Sequence, residues 1–230
     1  MTWLSPDEIE AMRLSLRVGF WNLLIGLPLA VAVAWVLARC RFPGKELLNG
    51  LVHLSLILPP VVTGYLLLLM LGRRGPIGGL LEDWFGIVVA FRWTGAVIAA
   101  TVMAFPVMVR PIRLSIEAID RRLEAAAGTL GARPLAVFAT VTLPLALPGI
   151  VAGGILGFAK GMGEFGATIT FVSNIPGETR TLPLAIYTLT QVPGGEVGAL
   201  RLTVIAVVVS LAALLAAELL GRRIARGIEA

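Results

Sequence analysis

Five uncharged runs dominate this sequence, and most of them are long enough to cross a lipid bilayer as a helix. Crossing about 30 Å of hydrocarbon takes about 20 residues, because each helical residue advances the chain by about 1.5 Å. Only 14% of the 230 residues are charged, whereas soluble domains carry about 25%, so a water-soluble enzyme is excluded. We expect one all-α integral membrane domain over 10–220, with about five transmembrane helices at 18–38, 47–72, 93–109, 135–159 and 202–217.

Prolines and a glycine interrupt two of the five runs. Pro59, Pro60 and Gly64 lie near the middle of the second run, where freed backbone groups must be satisfied by protein or by cavity water. Transporters use such breaks along substrate pathways, although a packing kink is the alternative interpretation. Pro144 and Pro148 are expected to divide the fourth run into an interfacial piece and a span that begins near Pro144.

The distribution of basic residues predicts the topology. Five spans put the two termini on opposite sides, whereas a sixth span or a re-entrant hairpin within 165–195 is the alternative. The loop set richer in basic residues holds 11 basic and 6 acidic residues and comprises 39–46, 110–133 and the tail after residue 217. The other set holds 8 of each. Because basic residues concentrate in cytoplasmic loops, we expect segment 1–9 on the external side and the tail 221–230 on the cytoplasmic side. The membrane is expected to be the cytoplasmic (inner) membrane of a bacterium or archaeon.

The chain lacks the side-chain clusters that an enzyme or a metal site would need. His53 is the sole histidine and Cys40 the sole cysteine, and no carboxylate pair has a metal-binding spacing. No glycine-rich loop of the ATP-binding type occurs either. We therefore expect no catalytic residue, no metal and no cofactor on this chain, and no nucleic-acid partner. Any uphill transport would draw on an ion gradient or on another subunit.

Residues 120–144 have the pattern of two short helices joined by a turn. Asp120 is suited to cap the first helix, and Gly131 stands where a helix end favours a left-handed residue. A second helix is expected from Leu135, after Arg133 and Pro134. Four apolar residues fall on one face of the first helix, namely Leu123, Ala126, Ala127 and Leu130. Such a face fits a partner protein, or alternatively a lipid surface.

This segment resembles the EAA loop of type I ABC importer permeases. Its residues 125–127, Gly131, Val141, Leu143 and Pro144 match the family's spacing throughout, with the acidic residue shifted back by one position and valine in place of isoleucine. The resemblance implies that loop 117–144 inserts into a groove of an ATP-binding subunit and transmits its motion. The implied coupling positions are Glu124, Ala125, Ala126, Ala127, Gly131, Val141, Leu143 and Pro144.

Four further segments are similar to the molybdate permease subunits of this family, namely 39–45, 58–68, 72–78 and 163–196. The resemblance implies alternating-access import of molybdate, with sulfate, thiosulfate or tungstate as alternative cargo. It also implies a second copy of the chain, two ABC ATPases that carry ATP and Mg²⁺, and a periplasmic or lipid-tethered molybdate-binding protein. A gradient-driven carrier or a membrane-embedded enzyme is the alternative outside this class.

The cargo implied by the resemblance is a dianion, which bears on the polar residues near the membrane. Glu164 would repel it, so we expect this acid to hold structure or a gate, with Lys160 one helical turn earlier as its partner. Neutral donors suit an oxyanion path better, unless they bond to their own backbone. The predicted pathway or gate positions are Pro59, Pro60, Gly64, Gly163, Glu164, Thr168, Thr170, Ser173 and Asn174.

Several charges lie on the side predicted to be external. Arg73, Arg74 and Arg180 run against the positive-inside trend, and Glu178 accompanies them. By resemblance, these residues are expected to dock the binding protein, and solvated loop charge is the alternative interpretation.

Overall fold

The computed structural model describes residues 4–229, apart from the side chains of 217, 221, 222 and 224–229. Those described residues form eleven α-helices and one π-helical turn at Phe138–Thr142. The basic side chains of Arg222 and Arg226 in the predicted tail lie outside the described part. The helices are α1 Pro6–Arg39, α2 Lys45–Ile57, α3 Pro60–Leu71, α4 Pro76–Phe85, α5 Trp93–Glu117, α6 Arg121–Thr129, α7 Pro134–Val137, α8 Leu143–Met162, α9 Gly166–Val172, α10 Leu182–Thr190 and α11 Glu196–Glu229.

Helix α1 starts before its apolar run because its first turn is capped. The Glu8 backbone N–H donates to Ser5 Oγ, while Glu8 Oε2 accepts from the Ser5 backbone N–H at 2.6 Å. Pro6 occupies the first helical position, where its missing N–H costs nothing. Residues 6–9, which belong to the predicted external segment 1–9, form the first turn of this 34-residue helix.

Two ends of the helical bundle can be defined from contacts of α1. Near the start of α1, Glu8 forms an ion pair with Arg201 of α11 at 3.0 Å. At its finish, Arg39 Nη2 donates to the Ile119 carbonyl just after α5, at 3.1 Å. We call these the Glu8 end and the Arg39 end. The Arg17 guanidinium lies 3.6 Å from the ring centroid of Trp93, so α1 and α5 both run from the Glu8 end to the Arg39 end.

The remaining long helices alternate in direction. Helix α2 starts at the Arg39 end, where Asn49 Oδ1 accepts from Arg113 at 2.9 Å. Helix α8 starts at the same end and α11 starts at the Glu8 end. Residues 40–44 and 118–142 therefore lie at the Arg39 end, whereas 72–92 and 163–195 lie at the Glu8 end. This grouping of the loops is the one that five spans predict.

The second apolar run does not form one straight span. Helices α2 and α3 meet at an angle of 115° around Leu58 and Pro59. Pro59 cannot donate a backbone hydrogen bond, and its carbonyl accepts from the N–H groups of Val62 and Thr63. Among the described residues, four helices are long and apolar enough to span a membrane, or five if this bent pair counts as one.

The break in the fourth run lies ahead of its prolines. The π-helical turn interrupts the helix at Phe138–Thr142, Pro144 falls in the first turn of α8, and Pro148 sits inside α8 without ending it. Helix α8 thus begins one residue before Pro144, as expected for the span, whereas the expectation that Pro148 also divides the run is wrong.

The segment within 165–195 does not form a sixth span in the described structure. Helix α9 has seven residues and α10 has nine, or about 10 and 14 Å of helix, which is less than half of the hydrocarbon thickness. The two helices lie at the Glu8 end, α9 packed against α3 and α5, and α10 packed against α11 and α1.

Candidate coupling loop and transport pathway

The loop that resembles a coupling segment is a helix, a turn and a second short helix. Asp120 Oδ1 accepts from the Arg122 backbone N–H at 2.9 Å, which caps α6. Gly131 follows the helix with φ +86°, and its N–H donates to the Gly128 carbonyl at 3.0 Å. Helix α7 then begins at Pro134. The predicted cap and the predicted left-handed glycine are both present, and the second helix starts one residue earlier than expected.

The apolar surface of this loop points away from the rest of the chain. Leu130 is 88% exposed and Leu135 is 82% exposed, while Leu123 is half exposed. Ala125 and Ala126 are exposed beside them. Of the other predicted coupling positions, Ala127, Val141 and Leu143 are partly buried and Pro144 is exposed. Leu130 belongs to the apolar face that the sequence predicts for a partner protein or a lipid surface, whereas Leu135 was not selected, although an apolar residue at a polar turn is the signal that could have selected it.

Glu124 departs from the exposed face of α6 and turns toward the membrane helices. Its carboxylate accepts from Arg39 Nε at 3.1 Å and from Thr142 Oγ1 at 2.7 Å. The Glu124 side chain is only 18% exposed, and Arg39 is 10% exposed. Sequence reasoning placed Glu124 among the coupling positions, and the structure shows that it faces inward, away from the exposed apolar surface.

Helices α3 and α9 meet at the predicted pathway glycine. A Cβ atom on Gly64 would lie 2.5 Å from the Ala167 carbonyl oxygen and 2.9 Å from Thr170 Cβ. Gly166 approaches Pro60 in the same way. Gly64 lies inside α3 and does not interrupt it. It was predicted as a helix break, and it instead permits close contact between the two helices; the break itself belongs to Leu58 and Pro59.

Glu164 is held by two local contacts just after Gly163 ends α8. One carboxylate oxygen accepts from Lys160 Nζ at 2.9 Å, and the other accepts from the Ala167 backbone N–H at 3.1 Å, at the start of α9. Only 2% of the Glu164 side chain is exposed, against 37% of Lys160. The acid therefore holds the junction between α8 and α9, and its role in a gate stays a prediction.

This asymmetry of exposure predicts unequal effects of two substitutions. Lys160→Met leaves the buried Glu164 charge without its partner, which costs about 3–5 kcal/mol where such pairs are buried. Glu164→Gln keeps an acceptor for the Ala167 N–H and frees Lys160 to reach solvent, so its effect should be well under half as large. Thermal unfolding in detergent at neutral pH measures both variants. Equal destabilisation by the two substitutions would contradict this account of the junction.

The neutral polar residues of the predicted pathway are partly engaged by protein. Thr170 Oγ1 donates to the Gly166 carbonyl at 2.9 Å, which is the backbone alternative considered above. Asn174 donates to Thr188 Oγ1 at 2.8 Å and accepts from Arg180 Nε at 3.0 Å. Thr168 is buried, whereas Ser173 is exposed, ends α9 and has φ +67°. The oxyanion-path role of these four residues stays a prediction.

The charges predicted to dock a partner lie at the Glu8 end. Arg73 and Glu178 line a cleft of about 370 Å³ together with Arg92, which sequence reasoning did not select. Glu178 Oε1 accepts from the Trp93 N–H at 3.4 Å, so it also caps α5. Arg73 lies 3.7 Å from a carboxylate oxygen of Glu82, and its side chain is 66% exposed. Arg74 is exposed, and Arg180 is held by Asn174 as described above.

The sequence as a whole matches a known family. The family described as the binding-protein-dependent transport system inner membrane component matches residues 26–226. The chain belongs to this family. The molybdenum transport system permease protein ModB of Escherichia coli (strain K12) is 58% identical over 219 residues, which cover 95% of this chain and 96% of that protein. The protein of the same name from Haemophilus influenzae is 56% identical over 216 residues, or 94% of each.

Solved structures agree with the family on the fold. A bacterial ABC transporter involved in the import of the acidic polysaccharide alginate matches with a TM-score of 0.76 and 18% sequence identity, covering 96% of this chain and 81% of that one. At this identity the likeness concerns the fold alone. The chain therefore has the all-helical fold of an ABC importer permease, and it is a multi-span protein of the inner membrane.

Proposed function

We propose that this chain is the permease subunit of an ATP-driven importer that translocates molybdate by alternating access. The relatives at 58% and 56% identity carry the name of molybdenum transport proteins and match nearly the whole chain. Sulfate, thiosulfate and tungstate are the alternative cargo, because all are tetrahedral or nearly tetrahedral oxyanions of the same charge.

The observation that carries the ATP-driven part of the proposal is the exposed apolar surface of the coupling loop. Leu130 and Leu135 are more than four-fifths exposed beside a row of alanines, at an end of the bundle where Arg39, Arg113 and Arg121 also lie. A partner protein that covers this surface would bury both leucines, which favours binding. We assign that surface to an ABC ATPase, one per permease chain, which holds the ATP and Mg²⁺ that this chain has no motif to bind.

The orientation of the chain in the membrane follows if the exposed loop surface contacts the ATPase. The Arg39 end then faces the cytoplasm with the C-terminus, and the Glu8 end faces outward with the N-terminus and the arginine cleft. A periplasmic or lipid-tethered molybdate-binding protein docks on the Glu8 end, where Arg73, Arg74, Glu178 and Arg180 lie. ATP binding closes the ATPases and turns the pathway outward, and hydrolysis resets it inward; the energy is coupled through the loop's fit to two ATPase arrangements.

A second copy of the chain completes the pathway. Five crossings are few to enclose a hydrated ion route, and α3 exposes a broad apolar surface that includes Val61, Tyr65 and Leu69. We assign part of this surface to the partner copy and the remainder to the lipid bilayer, with the pathway on the two-fold axis.

Uptake in proteoliposomes tests the proposal. The chain is reconstituted with its partner ATPase and with loaded molybdate-binding protein outside, and isotopic molybdate entry is measured with and without internal ATP. We expect entry only when ATP and the ATPase are both present, with tungstate competing and sulfate competing weakly. Entry without ATP would indicate a gradient-driven carrier, and equal competition by sulfate would indicate an importer of broader or different cargo.

A further inference from the structure

Helix α6 is attached to the membrane helices in an unusual way. No residue of α6 is buried, so the helix contributes no apolar side chain to the core. Its inward-facing side chain is Glu124, which is separated by 85 residues from Arg39 and by 18 from Thr142, its two side-chain partners. A polar contact therefore attaches α6 to the membrane helices, whereas apolar packing holds the long helices of the bundle together.

The two partners of Glu124 belong to different parts of the fold. Arg39 is the last residue of α1, and Thr142 is the last residue of the π-helical turn that leads into α8. Arg39 also donates to the Ile119 carbonyl, in the connection between α5 and α6. One carboxylate and one guanidinium thus join the ends of α1 and α5, the middle of α6 and the start of α8. We call Arg39, Glu124 and Thr142 the Glu124 cluster.

Burial makes this cluster costly to disturb. Thr142 is 1% exposed, and both charged side chains are at most about one-fifth exposed. A charge left without its partner in such a site carries its full desolvation cost. The cluster therefore favours one position of α6 relative to α1 and α8 over positions in which these bonds are broken.

The π-helical turn gives the same region a second contact with α1. The rings of Trp35 and Phe138 meet edge to face, with centroids 5.8 Å apart. Phe138 and Thr142 are the two ends of the turn, so α1 contacts its beginning through Trp35, while Thr142 at its end reaches α1 through Glu124. Between these two contacts with α1 lies a cleft of about 390 Å³ that opens beside α6.

We propose that Glu124 is a positioning residue, which makes α6 move as one body with the end of α1 and the start of α8. This inference rests on the proposed function and deepens it, because it names the contact through which a displacement of the ATPase reaches the membrane helices. The exposed leucines receive the displacement. The Glu124 cluster transmits this displacement to α1 and α8. Without the cluster, α6 moves by bending the segments that connect it to its neighbours, and the membrane spans stay in place.

The test compares carboxylate and hydroxyl substitutions in the reconstituted permease, ATPase and binding-protein complex. Glu124→Gln removes the charge that holds Arg39, and Thr142→Val removes the hydroxyl at nearly constant volume. Glu46→Gln is the matched control, because Glu46 is an exposed carboxylate in the first turn of α2 at the same end. Stimulation of ATP hydrolysis by loaded binding protein and molybdate taken up per ATP are measured, with thermal unfolding of each variant.

We expect Glu124→Gln and Thr142→Val to lower stimulation and uptake per ATP by about five-fold or more, the lower range of couplings between two sites. Thr142→Ser restores the hydroxyl and should recover most of the loss, while Glu46→Gln matches the wild type. If the cluster had only a structural role, the unfolding temperature would fall in proportion to the loss of coupling. Thr142→Ser would then not restore coupling without also restoring stability. If Glu124→Gln fails to assemble, the Thr142 pair decides the matter.

A paired apolar replacement separates positioning from stability. Arg39→Met with Glu124→Leu removes both charges together, which is often neutral for stability in buried pairs. We expect this double variant to assemble, to lose less stability than Glu124→Gln, which leaves the Arg39 charge unpaired, and to remain uncoupled. Normal coupling in this variant, or in both single variants Glu124→Gln and Thr142→Val, would overturn the inference. If the wild type itself is not stimulated by binding protein, the proposed function fails instead.

Discussion

Replacing Gly131 with proline is expected to abolish the stimulation of ATP hydrolysis by loaded binding protein in the proposed complex, while the chain still inserts into the membrane. Gly131 has φ +86° and donates its N–H to the Gly128 carbonyl. Proline is locked near φ −65° and has no N–H, so it can adopt neither feature of this turn. The turn would reopen and move Leu130 out of the exposed apolar surface that we propose as the contact with the ATPase. The stimulation of ATP hydrolysis should fall by about 5- to 150-fold, which is the usual range of coupling between two sites.

Gly44→Pro is the matched control for this variant. Gly44 also has a left-handed backbone, with φ +91°, and no atom lies within 4 Å of a Cβ built there; it sits at the same end of the bundle, before α2. Any general effect of a strained loop should appear in both variants, whereas loss of coupling should appear only at Gly131. Gly131→Ala should give an intermediate result, since a left-handed alanine costs about 1–2 kcal/mol. Equal stimulation in the Gly131 and Gly44 proline variants would remove the coupling role from the loop.

Replacing Gly64 with valine is expected to stop uptake and to destabilise the protein. The new side chain would meet the Ala167 carbonyl oxygen at 2.5 Å and Thr170 Cβ at 2.9 Å, and the backbone of α9 cannot yield as a flexible side chain can. Helix α9 must therefore move away from α3. Overpacking of this kind costs about 1–3 kcal/mol, and the displacement also pulls on the Glu164 junction that begins α9.

Gly50→Val provides the control for helix propensity in this experiment. Gly50 lies in α2, and a Cβ atom there would have no neighbour within 4 Å. Both substitutions replace a helical glycine with the same β-branched residue, so only the contact with α9 differs. Thermal unfolding and molybdate uptake are measured for both. Indistinguishable behaviour of the two variants would show that the contact between α3 and α9 does not support transport.

The local features of this protein could be predicted from its sequence. The cap at Asp120 and the left-handed Gly131 depend on residues within a few positions of each other, and both are present. Helix α5 begins at residue 93, where its uncharged run begins, and continues beyond that run to Glu117. The alternation of loops between the two ends follows from the length of the apolar runs, which requires a crossing for each.

Features that depend on distant residues could not be predicted. Nothing near Glu124 in the sequence indicates that Arg39 lies 3.1 Å away, so its inward orientation was missed. The role of Gly64 depends on Ala167, more than a hundred residues later, and an isolated glycine in an apolar run is equally typical of a break. The site of the π-helical turn was also missed, because the prolines at 144 and 148 are the stronger local signal and yet fit within α8.

The helices, the membrane crossings and the helix–turn–helix loop of this chain are predictable from local sequence, because apolar length, helical spacing and capping act over a few residues to about 20. The 115° bend between α2 and α3, the close contact of α3 with α9 and the attachment of α6 through Glu124 arise only in the folded chain. Those features are set by which surfaces meet when the helices assemble, and a contact between distant residues is specified by the shape and charge of both partners together.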